Sequence, residues 1–154
     1  MDSPHFQVAN DSHVAALLPL VRAYHEFEQI GLSEQQRCDA VLPLLSPDSQ
    51  VGRVWLIFIS QQVVGYVALC FGYSIELSGR DAFIDELFLV ESARGQDIGK
   101  QVLEFVIRQA ASLDVAALHL EVSRANNRAK RLYSQAGFLA RDRYHLMTFK
   151  VASN

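Results

Sequence analysis

The stretch ARGQDIGKQVL, residues 93–103, joins a glycine-rich loop to the predicted start of a helix, and this combination could bind an anion. Gly95 and Gly99 carry no Cβ, so the backbone there can come close to a ligand. The first N–H groups of a helix have no acceptor within it and suit a phosphate group. Asp97, however, places a negative charge in the middle of the loop. The stretch is therefore either a phosphate-binding loop or an ordinary helix start capped by its own aspartate.

A second group that could do chemistry is the adjacent pair Asp85 and Glu86, in the apolar segment FIDELFLV, residues 83–90. A positioned carboxylate can take a proton from a reacting group, as a general base. Successive residues of a strand point to opposite faces, so only one of the two can point at that group. The alternation places Asp85 with Leu87 and Leu89, and Glu86 with Ile84 and Phe88. The residues do not decide which carboxylate acts, and either could instead be bonded to backbone.

Length and composition predict a single domain over residues 1–154. Half of the residues are hydrophobic and a fifth are charged, which is typical of a globular protein. No apolar run approaches the roughly 20 residues of a membrane span, and the N-terminus lacks the blocks of a signal peptide. Cys38 and Cys70 lie far apart in sequence, and the histidines show no metal-ligand spacing. We therefore expect a cytoplasmic protein with reduced thiols, no metal and no membrane partner.

Charge is divided unevenly along the chain. Residues 1–90 contain 4 Lys and Arg against 11 Asp and Glu, whereas residues 91–154 contain 10 against 6. The net charges of the two parts are therefore −7 and +4, and that of the whole chain is −3. A net negative charge argues against a general nucleic-acid binder. The division is either accidental surface composition or a sign that the two parts face partners of opposite charge.

The elements that must hold these residues are predicted from the periodicity of apolar side chains and from caps and turns. Asp11 is the expected cap of a first helix, and Ser33 opens a second helix with a capping box, ending before Pro47. Strands are expected at 5–8, 54–59, 63–71, 83–90 and 116–122, helices at 98–113 and 127–136, and one or two closing strands within 138–151. Gly137 is the expected C-cap of the last helix. This order predicts an α/β sheet.

Two motifs in the second part of the chain resemble those of the GCN5-related N-acetyltransferase (GNAT) family. In that family a strand leads into a loop R/Q-x-x-G-x-G/A and a helix, and residues 94–99 read RGQDIG. The second motif resembles N-x-x-A-x-x-L-Y-x-x-x-G-F, and its named positions are filled by Asn126, Ala129, Leu132, Tyr133, Gly137 and Phe138. Together, with one strand between them, the two motifs identify the chain as similar to this family.

The resemblance implies both a fold and a cosubstrate. The fold is a single N-acetyltransferase domain with a mixed, mostly antiparallel central sheet, a splayed parallel strand pair and helices on both faces. Strands 83–90 and 116–122 would form that pair, and the pantetheine arm of acetyl-CoA would enter where they separate. The implied acetyl-CoA-binding residues lie on the strand, the loop and the second motif: Leu87, Phe88, Leu89, Arg94, Gly95, Gln96, Asp97, Ile98, Gly99, Lys100, Asn126 and Ala129.

Asp97 departs from the family pattern, which usually has glycine at this position. In one arrangement Asp97 keeps the unusual backbone conformation and turns its carboxylate to solvent, leaving the N–H groups free. In the other the carboxylate caps the helix and repels the pyrophosphate. We favour the first arrangement because the flanking Gly95 and Gly99 are both present, and we expect some weakening of acetyl-CoA binding.

For the chemistry, the resemblance implies Tyr133 as the general acid, because it stands where the family's tyrosine approaches the sulfur. Core packing in an apolar helical stripe is the alternative role for Tyr133. Many family members carry acidic residues at the place of Asp85 and Glu86, acting directly or through water. The first helices and the hairpin shape the acceptor pocket in this family. His25, in the first of these helices, is interpreted as a surface residue rather than a catalyst. The expected pocket residues are Tyr24, Glu28, Tyr73, Glu76 and Tyr144.

The predicted function is therefore acetyl-CoA-dependent N-acetylation of a primary amine, with a small cationic amine as the expected acceptor. An acidic, aromatic pocket suits such an amine. Direct attack in a ternary complex is expected, since neither cysteine sits in a motif typical of an acyl-enzyme nucleophile. A protein amine is the other acceptor left open, and so is a homodimer. The alternative function is a non-catalytic CoA-binding or partner-binding domain that retains the fold.

Overall fold

The computed structural model describes residues 2–152, which form two compact units divided after Glu121. Within residues 2–121 the first unit carries one sheet and three α-helices, joined by turns and short 3-10 segments. Its elements are β1 (His5–Val8), α1 (Val14–Phe27), α2 (Glu34–Val41), β2 (Gly52–Ile59), β3 (Gln62–Ser74), β4 (Gly79–Leu89), α3 (Ile98–Ser112) and β5 (Val115–His119). The second unit contains α4 (Asn127–Ala136). None of these helices, within the described residues, has both the length and the apolar character needed to cross a membrane.

The strands form one mixed sheet in the order β1-β2-β3-β4-β5, so neighbours in the chain are neighbours in the sheet. The β1–β2, β2–β3 and β3–β4 pairs are antiparallel, and only the β4–β5 pair within the described sheet is parallel. The helical crossover through α3 makes this parallel pairing feasible. The predicted mixed, mostly antiparallel sheet with a parallel pair is therefore confirmed.

The two faces of the sheet are covered by different helices, as side-chain alternation along β2 requires. Val54 and Leu56 belong to one buried cluster with Leu17 of α1. Trp55 lies between them in the strand and points the other way. Its ring meets Phe105 of α3 edge-on, with 5.7 Å between the ring centroids. Helices therefore lie on both faces, as predicted.

The parallel strands β4 and β5 pair only along their first residues. Their Cα partners run from Arg80 and Val115 to Phe83 and His119. There β5 ends, whereas β4 continues to Leu89. The predicted separation toward the C-terminal ends is thus present, although β5 is shorter than the expected strand 116–122. Beyond Phe83, β4 pairs only with β3, so the outer backbone groups of its second half face no strand within the described residues.

A β-bulge interrupts the β3–β4 ladder beside the acidic pair. Ala68 pairs with Glu86, whereas Leu69 pairs with Ile84, so Asp85 is an extra residue on β4. Cross-strand partners share a face of the sheet, and Ile84 and Glu86 therefore lie on opposite faces. The expectation that Glu86 shares a face with Ile84 is wrong, because simple alternation assumes a ladder without an extra residue.

The predicted N-terminal cap of α2 is confirmed, whereas the predicted cap of the first helix is not. Ser33 accepts a hydrogen bond from the Gln36 N–H, and Gln36 bonds back to Ser33, which is the predicted capping box of α2. At the first helix, Asn10 rather than Asp11 is the cap. Its side chain accepts from the Ser12 N–H and starts a 3-10 turn that leads into α1. Asp11 lies inside that turn, so its predicted capping role is wrong.

In the second unit, α4 has the predicted bounds, and Gly137 ends it with φ 106° in the left-handed region. The predicted closing strands are wrong, because residues 138–152 contain no strand. Beyond Phe138, large apolar side chains of this segment are exposed, with Phe149 and Leu139 both at 88 % of full exposure. An alternating pattern becomes a strand only when its backbone pairs with a neighbouring strand, and no ladder includes this part of the described chain.

Replacement of Gly65 by alanine should destabilise the protein, because β3 and β4 approach each other closely at this position. A Cβ atom at Gly65 would overlap the carbonyl oxygen of Phe88 in β4. The backbone can yield only by disturbing the ladder, so we expect Gly65→Ala to lower the free energy of unfolding by about 1–3 kcal/mol in urea titrations. Gly31→Ala is the matched control, since no atom lies within 4 Å of its Cβ position. Equal stability of the two variants would contradict the close approach.

Candidate active site

Glu86 accepts hydrogen bonds at both oxygens of its carboxylate. His25 Nε2 lies 2.8 Å from Oε2, and the hydroxyl of Tyr66 donates to Oε1 at 2.8 Å. His25 is 4 % exposed and Tyr66 1 % exposed. The carboxylate is therefore held between α1 and β3 by two buried side chains, on the face of the sheet that α1 covers.

Arg37 of α2 fixes the tautomer of His25. Its Nε donates to His25 Nδ1 at 3.3 Å, and its Nη1 donates to Glu34 at 2.9 Å. A guanidinium group can only donate, so Nδ1 must be unprotonated and the ring proton must be on Nε2. His25 is consequently a neutral imidazole that donates to the Glu86 carboxylate. Four elements, α1, α2, β3 and β4, meet in this chain of hydrogen bonds.

Burial, and after it the nearby carboxylates, shift the pKa values of Tyr66 and Cys70. Burial, and next the charge of Glu86, raises the pKa of Tyr66 far above its usual value, so its hydroxyl remains protonated and can serve as a donor. Burial, together with Asp85 and Glu86, raises the pKa of Cys70 to about 11. Because a thiol rather than a thiolate is then present near neutral pH, Cys70 is a poor nucleophile.

Asp85 differs from its neighbour in being open to solvent. Its residue is exposed, and no hydrogen bond within residues 2–152 engages its carboxylate. Desolvation by the surrounding protein is nevertheless the largest influence on its titration, followed by the charges of Glu86 and Glu121, and these raise the pKa of Asp85. A carboxylate with a raised pKa is a better proton acceptor near neutral pH than an ordinary one.

The loop before α3 presents free backbone donors. Asp97 adopts φ 59° and ψ 11°, in the left-handed region, and its exposed carboxylate makes no capping hydrogen bond. The first backbone bond of the helix runs from the Gln101 N–H to the Asp97 carbonyl at 3.2 Å. The N–H groups of Ile98, Gly99 and Lys100 therefore have no acceptor within α3. Of the two arrangements considered for Asp97, the structure adopts the one with the carboxylate away from the helix start.

Arg94 braces the loop instead of pointing away from the protein. Its Nε donates to the carbonyl of Leu89 at 2.9 Å, and its guanidinium lies 5.5 Å from the ring centre of Phe88 and 5.8 Å from that of Phe27. Gly95 follows with φ 77°, a conformation that favours glycine. The loop is thus attached to the end of β4 and to α1, which fixes the direction of its free N–H groups.

In the second unit, the residues of the second motif lie along α4. The Asn126 side chain accepts from the Ala129 N–H at 3.1 Å and caps the helix. The Tyr133 ring packs edge-on against Phe138, with 6.0 Å between centroids, and the Phe138 N–H donates to the Tyr133 carbonyl at 3.0 Å. Burial raises the pKa of Tyr133, so its hydroxyl is protonated at neutral pH. A protonated hydroxyl can act as a proton donor.

The residues predicted for the acceptor pocket are distributed over several places. Tyr24 lies beside the Glu86 site, with its ring 6.1 Å from Phe88. Glu28 follows the end of α1 and is exposed. Tyr73 pairs with Arg80 near the tip of the β3–β4 hairpin, and Glu76 lies in the turn itself. At about 3.3 Å per residue, this tip is roughly 20 Å along β4 from the acidic pair. Tyr144 belongs to the second unit and is 57 % exposed.

Three members of the site were not predicted from the sequence: Tyr66 on β3, and the helical residues His25 and Arg37. His25 was expected at the surface, yet it is buried, so that expectation is wrong. The signal was present, since His25 follows Leu17 and Val21 at intervals of four residues and continues the buried stripe of α1. Arg37 likewise precedes the buried Val41 by four residues in α2. Buried positions occupied by polar residues on an otherwise apolar stripe are the pattern that would have identified both.

Comparison with solved structures places this fold among acetyltransferases and related proteins. An integron cassette protein from the mobile metagenome of Cole Harbour Salt Marsh is 29 % identical, with a TM-score of 0.83 over 97 % of this chain and 91 % of that one. An aminoglycoside N-acetyltransferase in complex with CoA is 14 % identical, with a TM-score of 0.76 over 98 % and 97 % of the two chains. A predicted acetyltransferase with acetyl-CoA from Clostridium acetobutylicum is 15 % identical, with a TM-score of 0.76 over 94 % and 96 %.

Sequence comparison identifies the family to which the chain belongs. A search of curated proteins finds no significant match. The profile of the acetyltransferase (GNAT) family, however, matches residues 16–138, which include α1, the bulged strand β4, the glycine-rich loop and α4. The match covers most of the chain, and the fold agrees with it. The chain therefore belongs to the acetyltransferase (GNAT) family.

Proposed function

We propose that the protein transfers the acetyl group of acetyl-CoA to a primary amine by direct attack in a ternary complex. The observation that carries this proposal is the combination of an open β4 edge, the adjacent carboxylates Asp85 and Glu86, and the free N–H groups of the loop before α3. The family match spans both compact units, so we propose that they act as one acetyltransferase domain. The free cysteines are compatible with a cytoplasmic location, which we also propose.

Acetyl-CoA would use two features that the chain leaves open. Its pyrophosphate would accept hydrogen bonds from the N–H groups at the start of α3, assisted by the helix dipole. Its pantetheine arm has amide groups that could pair with the outer backbone groups along Leu87, Phe88 and Leu89, as an added strand would, apart from the Leu89 carbonyl that accepts from Arg94. The remaining proposed contacts come from the loop and the second motif: Arg94, Gly95, Gln96, Asp97, Ile98, Gly99, Lys100, Asn126 and Ala129.

In the proposed reaction the amine nitrogen attacks the thioester carbonyl and the carbon–sulfur bond breaks. The amine must lose a proton, and the departing thiolate must gain one. We propose Asp85 as the general base, because its carboxylate is exposed, its pKa is raised and no hydrogen bond in residues 2–152 occupies it. Both oxygens of Glu86 are already engaged. Tyr133 is the proposed acid, from its place in the second motif and its protonated hydroxyl.

A small cationic amine is the proposed acceptor. The charges of Glu86 and Glu121 both act on Asp85, and such a group of carboxylates attracts cations. One similar protein is an aminoglycoside N-acetyltransferase, whose name gives an aminoglycoside as its acceptor. Among the predicted pocket residues, Tyr24 is retained for its place beside the site. Glu28, Tyr73, Glu76 and Tyr144 remain proposals that rest on the resemblance.

Thiol release from acetyl-CoA with a panel of amines tests the function directly. The panel would contain a monoamine, a diamine, a polyamine, an aminoglycoside and a peptide with a free N-terminus, with mass spectrometry of the products. We expect amine-dependent thiol release, with the largest kcat/KM for acceptors of more than one positive charge. Acetyl-CoA binding without thiol release for any amine would instead support a non-catalytic CoA-binding domain.

Replacement of Asp85 by asparagine should lower activity and raise stability at the same time. Loss of a general base should reduce kcat by about 10²- to 10⁴-fold. A raised pKa means that ionised Asp85 is less favourable in the folded chain than in the unfolded chain. This cost is absent below the usual carboxyl pKa of about 4 and develops as the pH rises through the raised value. The Tm of Asp85→Asn should therefore exceed that of the parent at neutral pH, and the difference should shrink toward pH 4.

The control for this variant is Asp114→Asn, which changes another exposed aspartate, located between α3 and β5. Both kcat and the pH dependence of its Tm should resemble those of the parent. A variant Asp85→Asn with parental kcat, under conditions where chemistry limits the rate, would exclude Asp85 as the base.

Replacement of Tyr133 by phenylalanine should reduce kcat by about 10²-fold, because the leaving thiolate loses its proton donor. The affinity for acetyl-CoA should change little, since the proposed role concerns the transition state. Stopped-flow measurement of thiol release, beside calorimetric titration with acetyl-CoA, separates the two quantities. Retained kcat, under conditions where chemistry limits the rate, would assign Tyr133 to packing against Phe138, which the phenylalanine ring preserves.

Replacement of Asp97 by glycine should strengthen acetyl-CoA binding. The carboxylate repels an anion at the helix start, and its removal costs no backbone donor. We expect a gain of about 0.5–1 kcal/mol in calorimetric titrations. Added salt should reduce the gain by screening. Asp97→Asn is the matched control, since asparagine also tolerates the left-handed conformation and removes the same charge. Unchanged affinity in both variants would show that no pyrophosphate lies near this position.

A further inference from the structure

The hydrogen-bonded chain from Arg37 through His25 to Glu86 ends one residue from the proposed base, and its location suggests a purpose beyond packing. The residues Arg37, His25 and Tyr66 are almost fully buried, at 7 %, 4 % and 1 % exposure. Apolar residues at these positions would cover the sheet equally well. Instead, His25 and Tyr66 bond directly to the Glu86 carboxylate, and Arg37 bonds to His25. This chain of polar side chains lies directly beside the bulge whose extra residue is Asp85.

We propose that His25 is a positioning residue for Asp85, acting through Glu86, and that Arg37 keeps His25 in the tautomer that this role needs. The inference rests on the proposed function, because it concerns the geometry of the acetyl-transfer step. His25 touches neither acetyl-CoA nor the amine in this proposal. Its Nε2–H holds the Glu86 carboxylate, and thereby the peptide that joins Glu86 to Asp85.

The bulge explains why Asp85 needs such support. The extra residue of a bulge has no cross-strand partner, so the ladder leaves its orientation less constrained. Asp85 is this residue, and its carboxylate has no hydrogen bond of its own within residues 2–152. Glu86 is the next residue, and its side chain is anchored at both oxygens. Fixing the direction of one side chain of the bulge restricts the direction of the other.

The tautomer explains the contribution of Arg37. In the alternative tautomer the proton would be on Nδ1, opposite the Arg37 Nε–H, and the lone pair on Nε2 would face the carboxylate. That arrangement has two unfavourable contacts, donor against donor and acceptor against acceptor. Arg37 is in turn held by Glu34, with 2.9 Å between Nη1 and Oε1. The donor direction of His25 is therefore determined from α2.

Two substitutions of His25 separate positioning from packing. The side-chain amide of glutamine reaches about as far as Nε2, so His25→Gln can still donate to Glu86. The amide of asparagine reaches only about as far as Nδ1, so His25→Asn cannot. Both variants disturb the packing and the contact with Arg37. We expect kcat of His25→Asn to fall by about 10²-fold, the cost of a small misplacement of a reacting group. His25→Gln should recover most of this loss, and the Kd of acetyl-CoA should be unchanged in both.

The results separate the two levels of the proposal. If the parent releases no thiol with any amine of the panel, the proposed function fails and this inference fails with it. If the parent is active and His25→Asn retains parental kcat, only the inference fails. The inference also fails if His25→Gln and His25→Asn lose kcat equally, or if these variants lose affinity for acetyl-CoA instead of kcat. Each of these three results with an active parent would assign His25 a structural role alone.

Arg37→Lys provides a second test if His25→Asn does not fold. Lysine keeps the positive charge for Glu34 but cannot reproduce the planar Nε–H donor that meets His25. His25, Glu86 and Asp85 all remain in place in this variant. We expect a smaller fall in kcat, with the Kd of acetyl-CoA unchanged. Parental kcat in Arg37→Lys would overturn the assigned role of Arg37 in fixing the tautomer.

Discussion

The charge of Glu86, largely removed from water between α1 and the sheet, is the constraint on which the rest of the first unit depends. A carboxylate in such a place is costly unless hydrogen bonds replace the lost water. His25 and Tyr66 supply those bonds, one at each oxygen. Both donors are neutral, so the negative charge is solvated without being cancelled. The cluster therefore keeps an anionic character on the side where an amine would react.

The same constraint relates the helices to the bulged strand. α1 must place His25 above Glu86, and α2 must place Arg37 behind His25. β4 must carry an extra residue so that Glu86 points toward α1 while Ile84 faces the opposite side of the sheet. β5 ends at the level of Phe83, and β4 continues toward the loop that precedes α3 with only β3 as its neighbour. Acidic groups and free backbone donors thus follow one another along a single strand and loop.

Local features of the fold could be predicted from the sequence, because their causes are local. The capping box at Ser33 and the glycine end of α4 at Gly137 depend only on residues within one turn. The fold class followed from the order of the elements and from two motifs. Asn10 shows the limit of this reasoning, because it competed with the adjacent Asp11, and three-dimensional geometry decided between two suitable residues.

Features that depend on distant partners could not be predicted in the same way. The bulge at Asp85 is a property of the register between β3 and β4, and neither strand alone shows it. The burial of His25 depends on a carboxylate that lies sixty-one residues later in the chain. The prediction of closing strands within 138–151 was wrong for the opposite reason, since the alternating residues suggest a strand but no ladder includes them within the described chain. An alternating pattern alone does not supply the neighbouring strand that a β-strand must pair with.

The protonation state of His25 in the parent protein is the most direct test of this account, which requires a neutral imidazole with its proton on Nε2. Side-chain ¹⁵N resonances from a histidine-labelled sample distinguish the two neutral tautomers and the imidazolium ion. Assignment to His25 would come from comparison with the His25→Gln variant. The account predicts a protonated Nε2 and an unprotonated Nδ1 at neutral pH. A proton on Nδ1, or on both nitrogens, would contradict it, because Arg37 could not then donate to the ring as the structure shows.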